Sequence, residues 1–219
     1  VVVFAGLTIP AIYADGNGGV SIKTGTISIT SGTTLVTCTD AVFGPITSSG
    51  WEILIGSYFY SVASVNSDTQ LTLATPYKGR DISGHAYLAY VPLIRELYFE
   101  DISFVNSPTN PCTDVGIYIR GSKFSYMSRL FISGFSNNIY AEDCDMITLQ
   151  LSLLTSSTAE CISFEDVFNT AIGTCSISDN VEGIHFGGMG LGCNNMSIDS
   201  TIINNNGTGM HITDMSTNI

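Results

Sequence analysis

Positive charge is what this chain most lacks. Lysine and arginine number 7 against 19 aspartates and glutamates, a formal net charge of −12. Duplex nucleic acid and anionic membrane surfaces require basic patches, so neither is an expected partner. Charge of either sign is sparse, at 12% of residues, while 44% are hydrophobic. Glycine, serine, threonine and asparagine fill much of the rest, a mixture that suits β structure with many turns and excludes a helix-rich fold. No apolar run approaches membrane-spanning length and no charged segment leads into an apolar one, so membrane insertion is not expected. The six cysteines show no CxxC or Cys/His metal spacing. Cys161 and Cys175 lie in apolar runs, and reduced, buried thiols are expected in preference to a disulfide framework.

What the chain does have is one short pattern five times. It reads Gly116-Ile117-Tyr118-Ile119-Arg120, Asn138-Ile139-Tyr140-Ala141-Glu142 and Cys161-Ile162-Ser163-Phe164-Glu165. Two more copies are Gly183-Ile184-His185-Phe186-Gly187 and Gly209-Met210-His211-Ile212-Thr213. The anchors Ile117, Ile139, Ile162, Ile184 and Met210 stand 22, 23, 22 and 26 residues apart. Each copy alternates apolar and other residues, the period of a half-buried strand. A short strand recurring every twenty-odd residues buries its apolar side only by stacking on its own copies, which is the physics of a solenoid. A second apolar cluster precedes each later anchor, at Leu130–Ile132, Leu151–Leu154, Cys175–Ile177 and Ile202–Ile203. Asparagine-rich corners follow at Asn137-Asn138, Asp179-Asn180 and Asn204-Asn205-Asn206. Asparagine tolerates the left-handed backbone that tight corners need. Two strand columns, with a third expected, make a right-handed parallel β-helix.

Residues 23–90 have another texture. Closely spaced alternating strands at Gly25–Thr30, Thr33–Thr37, Glu52–Ile55, Tyr58–Val65 and Gln70–Leu73 predict a small antiparallel module, with Trp51 expected in its core and a sugar-stacking platform as the alternative. The predicted layout is therefore all-β: first β-helix strands in 1–22, the antiparallel module in 23–90, and β-helix rungs in 91–219. The chain stops at Ile219 inside what reads as another rung, so truncation at that end is expected.

Alternation sorts the faces. Ile117, Ile119, Ile139, Ala141, Ile162, Phe164, Ile184, Phe186, Met210 and Ile212 point inward, while Tyr118, Arg120, Tyr140, Glu142, Glu165, His185 and His211 point outward. At a rung spacing of about 4.8 Å, Glu142 and Glu165 become neighbours. His185 falls diagonally beside Glu165, and Tyr118 and Tyr140 stack. Asp143 and Asp166 take the next position, at the strand ends. Glu142, Glu165 and His185 are the candidate catalytic residues. Tyr118, Arg120, Tyr140, Asp143, Asp166 and His211 are the candidate substrate contacts. Tyrosine faces suit sugars, and paired carboxylates suit acid/base glycoside chemistry, in which mutual repulsion raises one pKa. No metal or cofactor is expected. The alternative is calcium, for which Glu142, Asp143, Glu165 and Asp166 offer hard oxygen ligands.

The repeats from Leu93 to Met215 resemble the pectate-lyase-like right-handed β-helix. GTISITSGTTLVTCT, YSVASVNSDTQLTLATPYKG and HAYLAY resemble a small β module that recurs in bacteriophage tail proteins. Together they look like a phage tailspike. That resemblance implies a homotrimer in the virion tail, alongside other tail proteins, that recognises a host surface polysaccharide, often with hydrolase or lyase cleavage. It transfers no catalytic residue. A non-enzymatic rod or tail-fibre module, and a free secreted polysaccharide lyase or hydrolase, stand as the alternatives.

Overall fold

In a computed structural model the described residues are 2–4, 10–15, 21–22, 25–40, 43, 50–56, 58–90, 94–109, 113–188 and 192–213. They form two compact units, one drawn from 1–16 and 94–217, the other from 17–93. No helix occurs among them.

The first unit is a parallel β-helix of three sheets. The outward strip expected from alternation lies on the sheet Ile12–Asp15, Ile117–Arg120, Ile139–Glu142, Glu160–Glu165, Glu182–Gly187 and Thr208–Ile212. A second sheet stacks Val2–Phe4, Ser103–Asn106, Phe131–Ser133, Leu153–Thr155, Ser176–Ser178 and Ile202–Asn204. The third, the further column expected from the sequence, stacks Leu97–Glu100, Ser125–Ser128, Ile147–Gln150, Phe168–Gly173 and Asn194–Asp199. All pairings are parallel, and Ile117, Ile139, Ile162, Ile184 and Met210 occupy one register column.

The inward set from Ile117 to Phe186 is buried and shares one core with Phe104, Met127, Leu149 and Leu154. Met210 and Ile212 depart from the expectation, at 41% and 51% exposed. Their strand is the last in its sheet, and no described strand lies beyond it to cover their side chains.

Most of the described corners open on a left-handed residue, and these residues stack in columns. Asp101, Arg129, Leu151, Thr174 and Ser200 follow the third-sheet strands. Gly134, Ser156, Asp179 and Asn205 follow those of the second sheet. The corner asparagines divide the work differently from the sequence expectation. Asp179 and Asn205 carry the positive φ. Asn138 and Asn180 are buried and bond backbone groups instead, Asn138 Nδ2 donating to the Thr155 carbonyl at 3.0 Å. Asn180 Oδ1 accepts from Ser157 N at 2.8 Å, and Asn180 Nδ2 donates to Asn206 Oδ1 at 2.9 Å. Such side-chain bonds satisfy backbone groups where the ladder breaks.

The second unit is an eight-stranded antiparallel sheet. Its strands run in the order Ser21–Ile22, Leu88–Tyr90, Glu52–Ile55, Tyr58–Ser67, Gln70–Leu73, Leu35–Thr39, Thr26–Ile29 and Ile82–His85. Ile27, Val36, Ile53, Leu71, Tyr87 and Trp51 form its core. The described cysteines, Cys38, Cys144, Cys161, Cys175 and Cys193, are buried, and Cys112 lies outside the described residues. Burial pushes the thiols of Cys144, Cys161 and Cys193 up to about 12.

Candidate functional site

The outward strip begins further upstream than the five-fold repeat. Ile12-Tyr13-Ala14-Asp15 pairs in register with Ile117–Arg120, so Tyr13 stands above Tyr118 and Asp15 above Arg120. The outward column is Tyr13, Tyr118, Tyr140, Ser163, His185 and His211. Beside it run Asp15, Arg120, Glu142, Glu165 and Gly187.

The tyrosines form a ladder. The rings of Tyr13 and Tyr118 lie 5.0 Å apart at 11°, and those of Tyr118 and Tyr140 lie 5.5 Å apart at 4°. Tyr118 is therefore covered on both faces and offers mainly its edge. The open face belongs to Tyr13, which is 60% exposed. Glu142 ties the ladder to the charged column. It accepts from the Tyr118 hydroxyl at 2.7 Å and from Tyr140 at 3.4 Å, and Arg120 Nε lies 2.9 Å from its Oε1. Burial raises the Tyr118 and Tyr140 hydroxyls above their ordinary pKa, and the Glu142 carboxylate adds to the shift.

Glu142 and Glu165 are register neighbours, as expected. The Glu165 carboxyl is raised, but burial is the main cause and the charge of Glu142 contributes least. Repulsion between the pair is therefore not what dominates. Glu142 is already engaged by Arg120 and Tyr118, which blunts its field.

His185 and His211 follow in the same column, with ring centroids 5.1 Å apart at 84°. Both turn Nδ1 toward Glu182. His185 Nδ1 lies 3.2 Å from Oε1 and His211 Nδ1 lies 3.4 Å from Oε2. His185 Nε2 faces Glu165 at 3.7 Å and Thr213 Oγ1 at 3.3 Å. Both ring nitrogens of His185 therefore face carboxylates. Gly187 makes this convergence possible. A Cβ there would lie 2.6 Å from His185 Nε2 and 2.9 Å from Glu165 Oε2.

Asp143 and Asp166, expected as substrate contacts, lie at the strand ends beside the strip. Both have left-handed backbones at the strand end and are buried, at 4% and 3% exposed. Asp166 Oδ1 accepts from Gly192 N at 2.7 Å, a corner role. The four carboxylates considered for calcium do not converge. Among the described residues, the clustered donor set is Glu182, His185 and His211.

Sequence reasoning missed two members of the strip. Tyr13 had a signal, since IYAD matches IYAE at Ile139–Glu142. Glu182 stands three residues before His185, so strict alternation sends it inward. The hint was positional: Glu160 also falls two residues before its anchor, and the two glutamates pair in register.

A separate groove of about 620 Å³ follows the corner between the third and second sheets. Arg129, Leu151, Leu153, Thr174 and Ile202 line it, and no predicted site residue does.

No family model matches the chain, and no curated protein matches it. Among solved structures it is similar to the tailspike protein gp49 from Pseudomonas phage LKA1, with a TM-score of 0.55 and 13% identity over 85% of this chain and 35% of that one. It is also matched to the Gp54 tailspike of Acinetobacter baumannii bacteriophage AP22, solved in complex with A. baumannii capsular saccharide. There the TM-score is 0.32, with 10% identity over 87% of this chain and 51% of that one. The chain thus spans about a third and about a half of those two proteins. Three stacked parallel sheets and the likeness to the LKA1 protein establish the fold as a tailspike-like parallel β-helix.

Proposed function

We propose that this chain is part of a tailspike-like receptor-binding protein of the virion tail, and that the Tyr13-to-Glu165 strip receives a host cell-surface polysaccharide. The tyrosine ladder flanked by an ion pair carries the reading. Sugar rings have apolar C–H faces and polar rims. An exposed aromatic face such as Tyr13 takes the first, while Asp15, Arg120 and Glu142 can hydrogen-bond the second. The acidic chain, with so few bases, suits neutral or mildly charged saccharides better than polyanions.

Binding is tested by titrating capsular polysaccharides and lipopolysaccharides into the protein by calorimetry. Saturable binding weakened by Tyr13→Ala supports the reading. Binding unchanged by that substitution and by Arg120→Ala overturns it.

A cleavage reading is favoured by one observation: Glu142 and Glu165 adjoin but have unequal surroundings, with Glu165 raised by burial. Glu165 would protonate the glycosidic oxygen and Glu142 would act as the second carboxylate. Reducing ends released by wild type and lost in Glu165→Gln support hydrolysis. An additional absorbance from an unsaturated uronic product indicates a lyase. Absence of both with retained binding leaves a recognition module.

Assembly as a homotrimer with other tail proteins belongs to the same reading. The apolar groove at Leu151, Leu153 and Ile202 supports it, since those side chains are 52%, 40% and 61% exposed. Sedimentation tests it: a monomer at all concentrations would remove the trimer.

A further inference from the structure

The geometry points to a divalent transition-metal site formed by Glu182, His185 and His211, with zinc as the ion it fits. One ligand atom from each residue lies within 4.8 Å of the other two. Zinc bound at 2.0–2.1 Å places tetrahedral ligand atoms about 3.3 Å apart. The Glu182 oxygens already lie 3.2 Å from His185 Nδ1 and 3.4 Å from His211 Nδ1. Two imidazoles and one carboxylate are the donors of a borderline ion, whereas calcium takes oxygen.

The surroundings are built for ligation in two further respects. The ring nitrogen of His185 that points away from the site faces the Glu165 carboxylate. A carboxylate behind a histidine fixes its orientation and strengthens it as a ligand. Exposure is also graded, since the Glu182 and His185 side chains are 16% and 15% exposed and that of His211 is 50%. The donors therefore converge from a sheltered side, and solvent reaches the His211 side, where a water can complete the coordination.

Glycines make the arrangement possible. Gly183 separates Glu182 from Ile184, and a Cβ there would collide with the Gly209 carbonyl oxygen. Only a residue without a side chain lets the two strands approach so closely at the point where Glu182 comes to the outer side. The bound ion would join Glu182 and His185 on one rung to His211 on the next, linking them across the sheet.

The test is calorimetric titration of the metal-free protein with zinc chloride, with cobalt(II) absorption as a second readout. One ion per chain is expected, with visible cobalt bands of the intensity that four-coordination gives. His211→Ala, at an exposed position, should weaken zinc at least about 100-fold, and Glu165→Gln about 10-fold. Zinc should also raise the melting temperature, a gain that His211→Ala abolishes. His85→Ala, in the antiparallel unit, should change nothing. Zinc affinity unaltered in His211→Ala, or wild-type binding no tighter than that of the double variant His185→Ala/His211→Ala, overturns the site. Tyr118→Ala separates this inference from saccharide binding, because it should spare the metal.

Discussion

The two halves of the outward strip share one sheet and one register, yet they are built on opposite principles. In the first half, Tyr13, Tyr118 and Tyr140 stack as near-parallel rings, and a single carboxylate, Glu142, collects their hydroxyls and the Arg120 guanidinium. In the second half the same column holds Ser163, His185 and His211, and the carboxylates Glu165 and Glu182 collect imidazole nitrogens instead. The backbone is common to both. A parallel in-register sheet repeats a position and does not dictate what fills it. Aromatic residues at that position give a surface for a ligand with apolar faces, and imidazoles give a cluster of nitrogen donors.

The shared floor gives the largest effect. Phe164 is buried in the common core, and Phe164→Ala should destabilise the β-helix by about 4 kcal/mol. Denaturant titration that shows under 1 kcal/mol would mean that the halves do not rest on one core. Next comes the aromatic half. Tyr13→Ala should weaken polysaccharide binding by about 2 kcal/mol, roughly 30-fold, with little change in melting temperature. Tyr118→Ala, in the middle of the stack, should also lower the melting temperature. Equal effects of both variants on binding and stability would erase the distinction between the open face and the enclosed ring. The carboxylates separate the halves directly. Glu142→Gln leaves Arg120 without its ion-pair partner and should cost about 1–2 kcal/mol of stability, whereas Glu165→Gln should cost less than about 0.5 kcal/mol. A reversed order would show that the ion pair contributes nothing. The smallest effect lies at a corner. Thr174 is β-branched, exposed and left-handed at φ 55°, so Thr174→Gly should stabilise by about 0.5 kcal/mol, the steric relief exceeding the entropy cost. Any loss of stability would mean that its side chain serves the corner.

The β-helix was legible in the sequence because its period is short and strict. Five anchors at intervals of twenty-odd residues predict stacking, and alternation then assigns Tyr118, Tyr140, Glu142, Glu165 and His185 to one face. The reading weakened wherever the backbone left the strand. Alternation says nothing about a left-handed residue, so Asp143 and Asp166 read as outward although the corner buries them. It also misplaces Glu182, which comes to the outer side beyond Gly183. The corner asparagines were recognised by composition, yet the strained conformation falls at Asp179 and Asn205, while Asn138 and Asn180 are inside making hydrogen bonds. Composition marks a corner but does not assign the roles within it. Tyr13 was lost for another reason. Its rung belongs to the repeat in space but is cut off from it in sequence by the antiparallel unit.

That separation has a consequence of its own. After Arg120, the chain reaches its next strand, at Ser125, through a few residues. After Asp15, at the same station one turn earlier, it passes through the whole of residues 17–93 before re-entering the helix at Leu97. Both routes deliver their strands to consecutive places in the same sheets. A strand's address is thus set by what it stacks on and not by how far the chain has travelled, and this corner works as a port. Residues 17–93 are accommodated there while the strands on either side keep their register.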